Sequence, residues 1–178
     1  MKNGWQTKKL GEVLQKTETI NPMQSPETEF DYIDVSSVSN ATFQIAETQH
    51  LKGRDAPSRA RRLVKTNDVL FATVRPTLQR IAIVPEHLDN QVCSTGYFVL
   101  RPKPEVDYRF VFYSLFTEDF MGQMENLQKG ASYPAVPQRV SIQLTTPTPC
   151  SILREISAPP CPASCTTPSS CHCQLLKG

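Results

Sequence analysis

The sequence predicts an α+β domain with a mainly antiparallel or mixed, twisted β-sheet and a few packed helices. Short apolar runs of strand length occupy the first hundred residues, and an apolar stripe at helical spacing follows them. Strands and helices do not alternate regularly, which argues against a doubly wound sheet. The 178 residues, 39% hydrophobic and 20% charged, suffice for one globular domain with a short appendage.

The first elements are short. The spacing of Trp5, Leu10 and Val13 predicts a short helix or turn over residues 5–15, packed on the core. Residues 30–35 read as a strand. The alternation in Thr42-Phe43-Gln44-Ile45 predicts a second, half-buried strand.

Three more strands are predicted from longer apolar runs. Residues 69–74 are almost continuously apolar, which is typical of a buried strand. Residues 80–84 and 92–100 read as further strands, closed by Pro85 and Pro102.

A helical stripe follows the strands. Asp107 is a plausible N-cap, Gly130 a plausible stop, and residues 117–119 a possible break into two helices. We interpret the stripe as core rather than as a ligand site. Its members recur at three- and four-residue steps: Phe112, Phe116, Phe120, Met124 and Leu127.

The composition changes sharply after Val136. Residues 137–178 hold seven prolines and five of the six cysteines. We therefore predict a domain over 1–136 and a disordered tail over 137–178, in which 145–149 is either extended or disordered. A zinc site is the alternative interpretation of the tail, but the ligand spacing matches no common tetrahedral site. Its candidate ligands are Cys161, Cys165, Cys171, His172 and Cys173.

The charge is unevenly distributed. Eight basic and two acidic residues lie between Leu51 and Arg80, although the net charge is only +2. Such a block indicates a polyanionic partner or, equally, a solvated basic face. Because we find neither an apolar leader nor a membrane span in the sequence, we expect a cytoplasmic protein without a membrane partner.

Several stretches, taken in order, resemble the target-recognition domains of type I restriction–modification specificity subunits. Together they span residues 4–136, about three quarters of the chain. They are Gly4-Trp5 with Lys9-Leu10-Gly11-Glu12, Tyr32-Ile33-Asp34-Val35-Ser36-Ser37, Asn67-Asp68-Val69-Leu70-Phe71-Ala72-Thr73-Val74-Arg75, Cys93-Ser94-Thr95-Gly96-Tyr97-Phe98-Val99-Leu100-Arg101-Pro102 and Gly130-Ala131-Ser132-Tyr133-Pro134-Ala135-Val136.

The resemblance implies recognition of one half of a split double-stranded DNA target. It implies as partners the modification subunits, which transfer the methyl group, and through them the restriction subunit. The recognition domain itself is expected to be non-catalytic and to need no cofactor. The sequence agrees, since it holds no Gly-rich phosphate or S-adenosylmethionine loop, and its three histidines are scattered.

Arginine suits both phosphates and guanine edges, so the basic block supplies most of the candidate DNA contacts. An extended chain would send Arg59 and Arg61 to one side and Arg62 to the other, whereas a helix would fan the three across about half of its circumference. In either case several guanidinium groups come close together. The competing interpretation pairs Arg61 and Arg62 with surface acids. The candidate DNA-binding residues are Lys52, Arg54, Arg59, Arg61, Arg62, Arg75, Arg80, Lys129, Ser132 and Tyr133.

The chain departs from the family after Val136. In the family a short helix, a strand, a Pro-Glu-Gln stretch and a long spacer helix follow, and none is recognisable here. We interpret the change as a truncation with a shifted reading frame. Two alternatives to DNA recognition stay open: a truncated subunit that folds without assembling the complex, and an unrelated nucleic-acid-binding module.

Overall fold

Two four-stranded sheets pack face to face, and two helices cover the outer face of the first sheet. This arrangement is seen in a computed structural model, which describes residues 5–75, 78–128 and 145–149. The mixed sheets and few helices confirm the predicted α+β class. The strands are β1 (Trp5–Lys9), β2 (Leu14–Gln15), β3 (Glu29–Ile33), β4 (Gln49–Lys52), β5 (Ala60–Leu63), β6 (Val69–Ala72), β7 (Ile81–Ile83), β8 (Val92–Ser94), β9 (Tyr97–Pro102) and β10 (Thr145–Pro149); the helices are α1 (Leu10–Val13), α2 (Tyr108–Ser114) and α3 (Glu118–Gln128).

The first sheet has the order β2-β9-β6-β7 and is antiparallel throughout. All four residues of β6 are buried because both of its faces are covered. Val69 and Phe71 pack with the helices, whereas Leu70 and Ala72 pack against the second sheet. The continuous apolar run predicted as a buried strand is therefore confirmed.

The second sheet has the order β4-β3-β8-β5, parallel between β3 and β8 and antiparallel elsewhere. Its outer strands β4 and β5 were not predicted from the sequence. Their sequences, QHLK and ARRL, are largely polar, as is common on sheet edges. Hydrophobic periodicity is too weak to reveal such strands.

The helical stripe forms two helices, as predicted. Asp107 caps α2 by accepting a hydrogen bond from the backbone N–H of Arg109 at 2.8 Å. The helix ends at Ser114, and α3 begins at Glu118, so the predicted break is confirmed. Phe120 and Met124 are buried in the core with the first sheet.

Two of the strand predictions need correction. Residues 42–45 form no strand: Ser39 Oγ accepts from the backbone N–H of Thr42, and Phe43 adopts a φ of 55°. The 92–100 region holds two strands, because a turn at Thr95-Gly96 sends β8 and β9 into different sheets. In the 5–15 segment, the short helix α1 lies between the strands β1 and β2.

The described part of the tail is extended. Strand β10 pairs antiparallel with β1, placing Thr145 opposite Lys9 and Pro149 opposite Trp5. Extended chain was one of the two states expected for these five residues, and here it joins the fold instead of being disordered. Gly130, the five tail cysteines and the proposed frame change lie outside the described residues. The disorder predicted for the remaining tail stays a prediction.

In the parts of the chain that the structure describes, no helix has the length and apolar character needed to cross a membrane. Within those same ranges, no group of three or more histidine, cysteine, aspartate or glutamate side chains is arranged so that it could hold a metal ion.

Candidate nucleic-acid interface

The described residues of four loops meet at one end of the two sheets, which we call the loop end: residues 34–37, 57–59, 73–75 with 78–80, and 94–96. The strand directions bring them together. Strands β3, β6 and β8 finish at this end, and β5, β7 and β9 begin there. Loops at the ends of the strands of a rigid sheet can contact a ligand without disturbing the core.

Backbone hydrogen bonds fix these loops to one another. The carbonyl of Arg59 accepts from the N–H of Thr95 at 2.8 Å. Thr73 donates to the Gly96 carbonyl twice, from its backbone N–H at 2.9 Å and from Oγ1 at 3.0 Å. The loop end is therefore a connected surface rather than a set of independent loops.

The carbonyl oxygen of Val35 is the central acceptor of the loop end. Arg80 Nη1 donates to it at 2.9 Å, and the Tyr97 hydroxyl donates to it at 3.1 Å. The same hydroxyl lies 3.1 Å from the Asp34 carbonyl. Burial raises the pKa of Tyr97, so the phenol stays protonated and remains a donor. Arg80, a candidate DNA contact, is thus partly engaged inside the protein.

The loop between β6 and β7 has an unusual backbone. Arg75 and Gln79 adopt φ angles of 49° and 50°, in the left-handed region. Each such residue that is not glycine costs about 1–3 kcal/mol and persists only where its surroundings fix it. A hydrogen bond of 2.9 Å from the Leu78 N–H to the Arg75 carbonyl closes a tight turn here. The strands predicted over 69–74 and 80–84 correspond to β6 and β7, which lie on either side of this loop.

Two arginines of the loop end point into solvent. Arg59 and Arg75 are exposed, and neither side chain makes a hydrogen bond or ion pair with any residue in 5–75, 78–128 or 145–149. Their guanidinium groups can accept an anionic partner without breaking a contact seen here. These two residues are the candidates that the structure favours most.

The opposite end of the sheets, which we call the ion-pair end, uses its basic residues differently. Lys52 Nζ lies 3.8 Å from both Glu27 and Glu29 carboxylates, and Arg54 lies 3.2 Å from Glu27 and 3.7 Å from Asp55. These contacts favour the solvated-face interpretation for Lys52 and Arg54. Their contact with DNA stays a prediction.

A buried ion pair completes the ion-pair end. Arg101 donates from Nη2 to Asp68 at 2.8 Å and from Nε at 2.9 Å, and the Asp68 side chain is only 2% exposed. The hydrogen bonds that Arg101 donates to Asp68 raise the pKa of Arg101. Glu18 bridges from Arg101 to Lys65 at 3.7 and 3.6 Å. Arg101 lies inside one of the family-like motifs, but its role in the core was not foreseen.

Arg61 and Arg62 lie on strand β5, so the extended alternative for this segment is the correct one. Arg61 donates to the Ser58 carbonyl at 3.1 Å and to the side-chain oxygen of Asn21. Arg62 is partly buried near Cys93. Burial lowers the pKa of Arg62 and raises that of the Cys93 thiol to about 12. Both arginines are therefore integrated into the sheet.

Lys129, Ser132 and Tyr133 lie outside the described residues, so their contact with DNA stays a prediction. The structure adds Gln79 and Leu78 to the loop end. The sequence indicated a loop here, since a proline at position 76 favours a turn, but nothing in the sequence singled out these two side chains.

Comparison with known proteins shows which class of protein this chain is similar to. The chain is homologous to part of the type I restriction enzyme specificity subunits, which confirms the resemblance seen in the sequence. No protein-family model matches it.

The relatives match the chain over a limited share of their own length. The specificity subunit of the type I restriction enzyme HindI from Haemophilus influenzae is 32% identical over 75 residues, which is 42% of this chain and 16% of that protein. The crystal structure of the HsdS subunit from Thermoanaerobacter tengcongensis is 37% identical, with a TM-score of 0.78, over 84% of this chain and 39% of the subunit. A second structure, from work on complex assembly and conformational transition of the type I R-M system, is also 37% identical, with a TM-score of 0.79, over 83% and 38%. The chain thus spans about two fifths of the solved subunits.

Proposed function

We propose that this chain binds double-stranded DNA sequence-specifically and recognises one half of a bipartite target for a type I restriction–modification complex. The homology to specificity subunits supports this function. The structural observation that carries it is the exposure of Arg59 and Arg75 on hydrogen-bonded loops at one end of the sheets.

The two arginines have the chemistry that this function needs. Guanidinium groups bind phosphates strongly and pair with the O6 and N7 atoms of guanine in the major groove. Phosphate contacts supply affinity, and base contacts supply discrimination. Because the surrounding backbone is fixed by hydrogen bonds, little conformational entropy is lost when the loop end meets DNA.

The proposed role is binding rather than catalysis, and no cofactor is required for it. The chemistry would belong to the partners: modification subunits that methylate the DNA and, through them, a restriction subunit that cleaves it. Methylation mapping of host DNA tests this assignment, with the chain co-expressed beside a modification subunit and without it. A methylated motif that appears only with the chain supports the proposal. Its absence, from a soluble and folded chain, favours a subunit disconnected from its complex.

The salt dependence of DNA binding tests the interface directly. Arg75→Ala is expected to weaken binding and to reduce the slope of log affinity against log salt by about 0.9, the change expected for one lost phosphate contact. Lys52→Ala is the matched control at the ion-pair end, where the lysine already has carboxylate partners. We expect it to leave the slope unchanged. Equal losses of slope in the two variants would contradict the placement of the interface at the loop end.

A further inference from the structure

Gln79 occupies a backbone position that does not suit its side chain. Its φ of 50° lies in the left-handed region, which residues with a Cβ atom rarely adopt. Four other described residues share this conformation: Phe43, Asn67, Arg75 and Asn90. Asparagine tolerates it because its short amide can bond to the local backbone. Glutamine has no such advantage, and glycine would be unstrained. The residue type at position 79 therefore needs another explanation.

The neighbours of Gln79 hold it in this conformation from both sides. On one side, the Leu78 N–H donates to the Arg75 carbonyl at 2.9 Å and closes the preceding turn. On the other side, the Arg80 carbonyl accepts from the Ala72 N–H at 3.0 Å, while Arg80 Nη1 donates to the Val35 carbonyl at 2.9 Å. The direction in which the side chain of Gln79 leaves the backbone is thus set by the sheet and by the adjoining loop.

The side chain of Gln79 is available to a ligand. It is partly exposed, and its amide makes no hydrogen bond with any residue of the described ranges. Exposed Arg75 and the 41% exposed side chain of Leu78 lie in the same loop. The loop therefore presents an amide, an apolar group and a guanidinium together.

A side-chain amide carries one donor group and one acceptor, which match the N7 and N6 atoms of adenine in the major groove. We propose that Gln79 is a specificity-determining residue that recognises an adenine edge, and that Arg80 is a positioning residue which aims it. This inference rests on the proposed function. It assigns to one residue a part of the discrimination between base pairs.

Selection from a library of unmethylated duplexes with randomised base pairs tests the inference, using the full chain. The wild type defines the preferred motif. Gln79→Gly removes the amide and also relieves the left-handed backbone, so this variant is expected to fold. We expect its preference for adenine to fall about 5- to 150-fold at one position of the motif and to be unchanged elsewhere.

Two further variants sharpen the assignment. Gln79→Glu replaces the amide with an acceptor-only carboxylate, so preference at the same position should move from adenine to cytosine, whose N4 group donates. Gln24→Ala is the matched control, because Gln24 is an exposed glutamine outside the loop end. It should leave the motif unchanged.

Arg80 is tested by the same selection together with a salt titration. Arg80→Ala should reduce preference at the position that Gln79→Gly affects, with the salt slope unchanged, and Arg80→Lys should restore part of it by keeping a donor for Val35. A slope reduced by about 0.9 would show that Arg80 contacts phosphate, which overturns its positioning role.

The outcomes separate this inference from the proposed function. If the wild type selects a motif that Gln79→Gly retains at every position, the assignment of Gln79 is wrong and the proposed function stands. If the wild type selects no motif at all, both fail.

Discussion

At the ion-pair end, Lys52, Arg54 and Arg101 each have a carboxylate partner, at distances between 2.8 and 3.8 Å. At the loop end, Arg59 and Arg75 have no such partner in the described residues. Basic side chains therefore form ion pairs at one end of the sheets and are available to bind a ligand at the other. The difference lies in the acids that the fold brings beside them.

The two ends also differ in the strain of their backbones. Three described residues other than glycine or asparagine have φ in the left-handed region. Arg75 and Gln79 lie at the loop end, and Phe43 lies in the turn after Ser39. Asn67 at the ion-pair end has a residue type that tolerates this conformation. Strain of this kind collects where a side chain must be held for a ligand. The strained backbone positions of the candidate interface thus lie at the end opposite to the buried ion pair.

The largest loss of stability is expected when the buried ion pair between Asp68 and Arg101 is broken. Asp68→Ala leaves Arg101, whose side chain is only 11% exposed, without its main partner. Loss of one member of a buried pair costs about 3–5 kcal/mol of unfolding free energy, and urea denaturation of the variant would measure this loss. Glu18→Ala removes the 57% exposed partner of the same arginine and should cost less than about 1 kcal/mol. Similar small losses in both variants would show that the ion-pair end is not what stabilises the fold.

A smaller effect is expected from two glycines, one at each end. At Gly53, an added Cβ would meet the backbone carbonyl oxygens of Ser25 and Pro22, which cannot move without shifting the chain. At Gly96, it would lie 2.5 Å from Val35 Cγ2, a side-chain atom that can shift more easily. Thermal denaturation should show Gly53→Ala destabilised by about 3 kcal/mol and Gly96→Ala by about 1 kcal/mol. The reverse order would mean that the loop end is the more rigidly packed of the two.

The smallest effect on stability is expected from the titration of His50, which lies on strand β4. Its Nδ1 atom is 3.1 Å from Asp31 and its Nε2 atom is 3.5 Å from Glu29, and the hydrogen bond with Asp31 is the main cause that raises the pKa of His50. A raised pKa in the folded state makes a stabilising contribution that is complete below pH 6.5 and is lost as the pH rises through the folded value. NMR titration should show the pKa of His50 falling in Asp31→Asn. No fall would mean that the contact with Asp31 is not formed in solution.

Much of the fold could be predicted from the sequence. Strand β6 was recognised because a continuous apolar run requires burial on both faces, and α2 because Asp107 supplies a cap before an apolar stripe. Strands β4 and β5 could not be recognised, since an edge strand needs few apolar residues. The strand expected at 42–45 was wrong because a short alternating pattern also fits a turn, here closed around Ser39.

The candidate site was predicted only in outline. The basic block drew attention to Arg59 and Arg75, whose contact with DNA stays a prediction, and it grouped them with Lys52 and Arg54, which the fold places at the other end. Gln79 carries no charge and lies in no family-like motif, so nothing but its backbone conformation and unused amide distinguishes it. Such features exist only in three dimensions.

The sequence by itself determined the class of fold, the buried central strand, the pair of helices and the resemblance to specificity subunits, because these follow from local periodicity and ordered motifs. The tertiary structure decided which basic residues remain available to a polyanion. The nearer carboxylate partner of Arg54, Glu27, lies 27 residues away in the chain, and the main partner of Arg101, Asp68, lies 33 residues away. Their meeting is set by strand register and sheet order, and the distribution of charge along the chain does not record it.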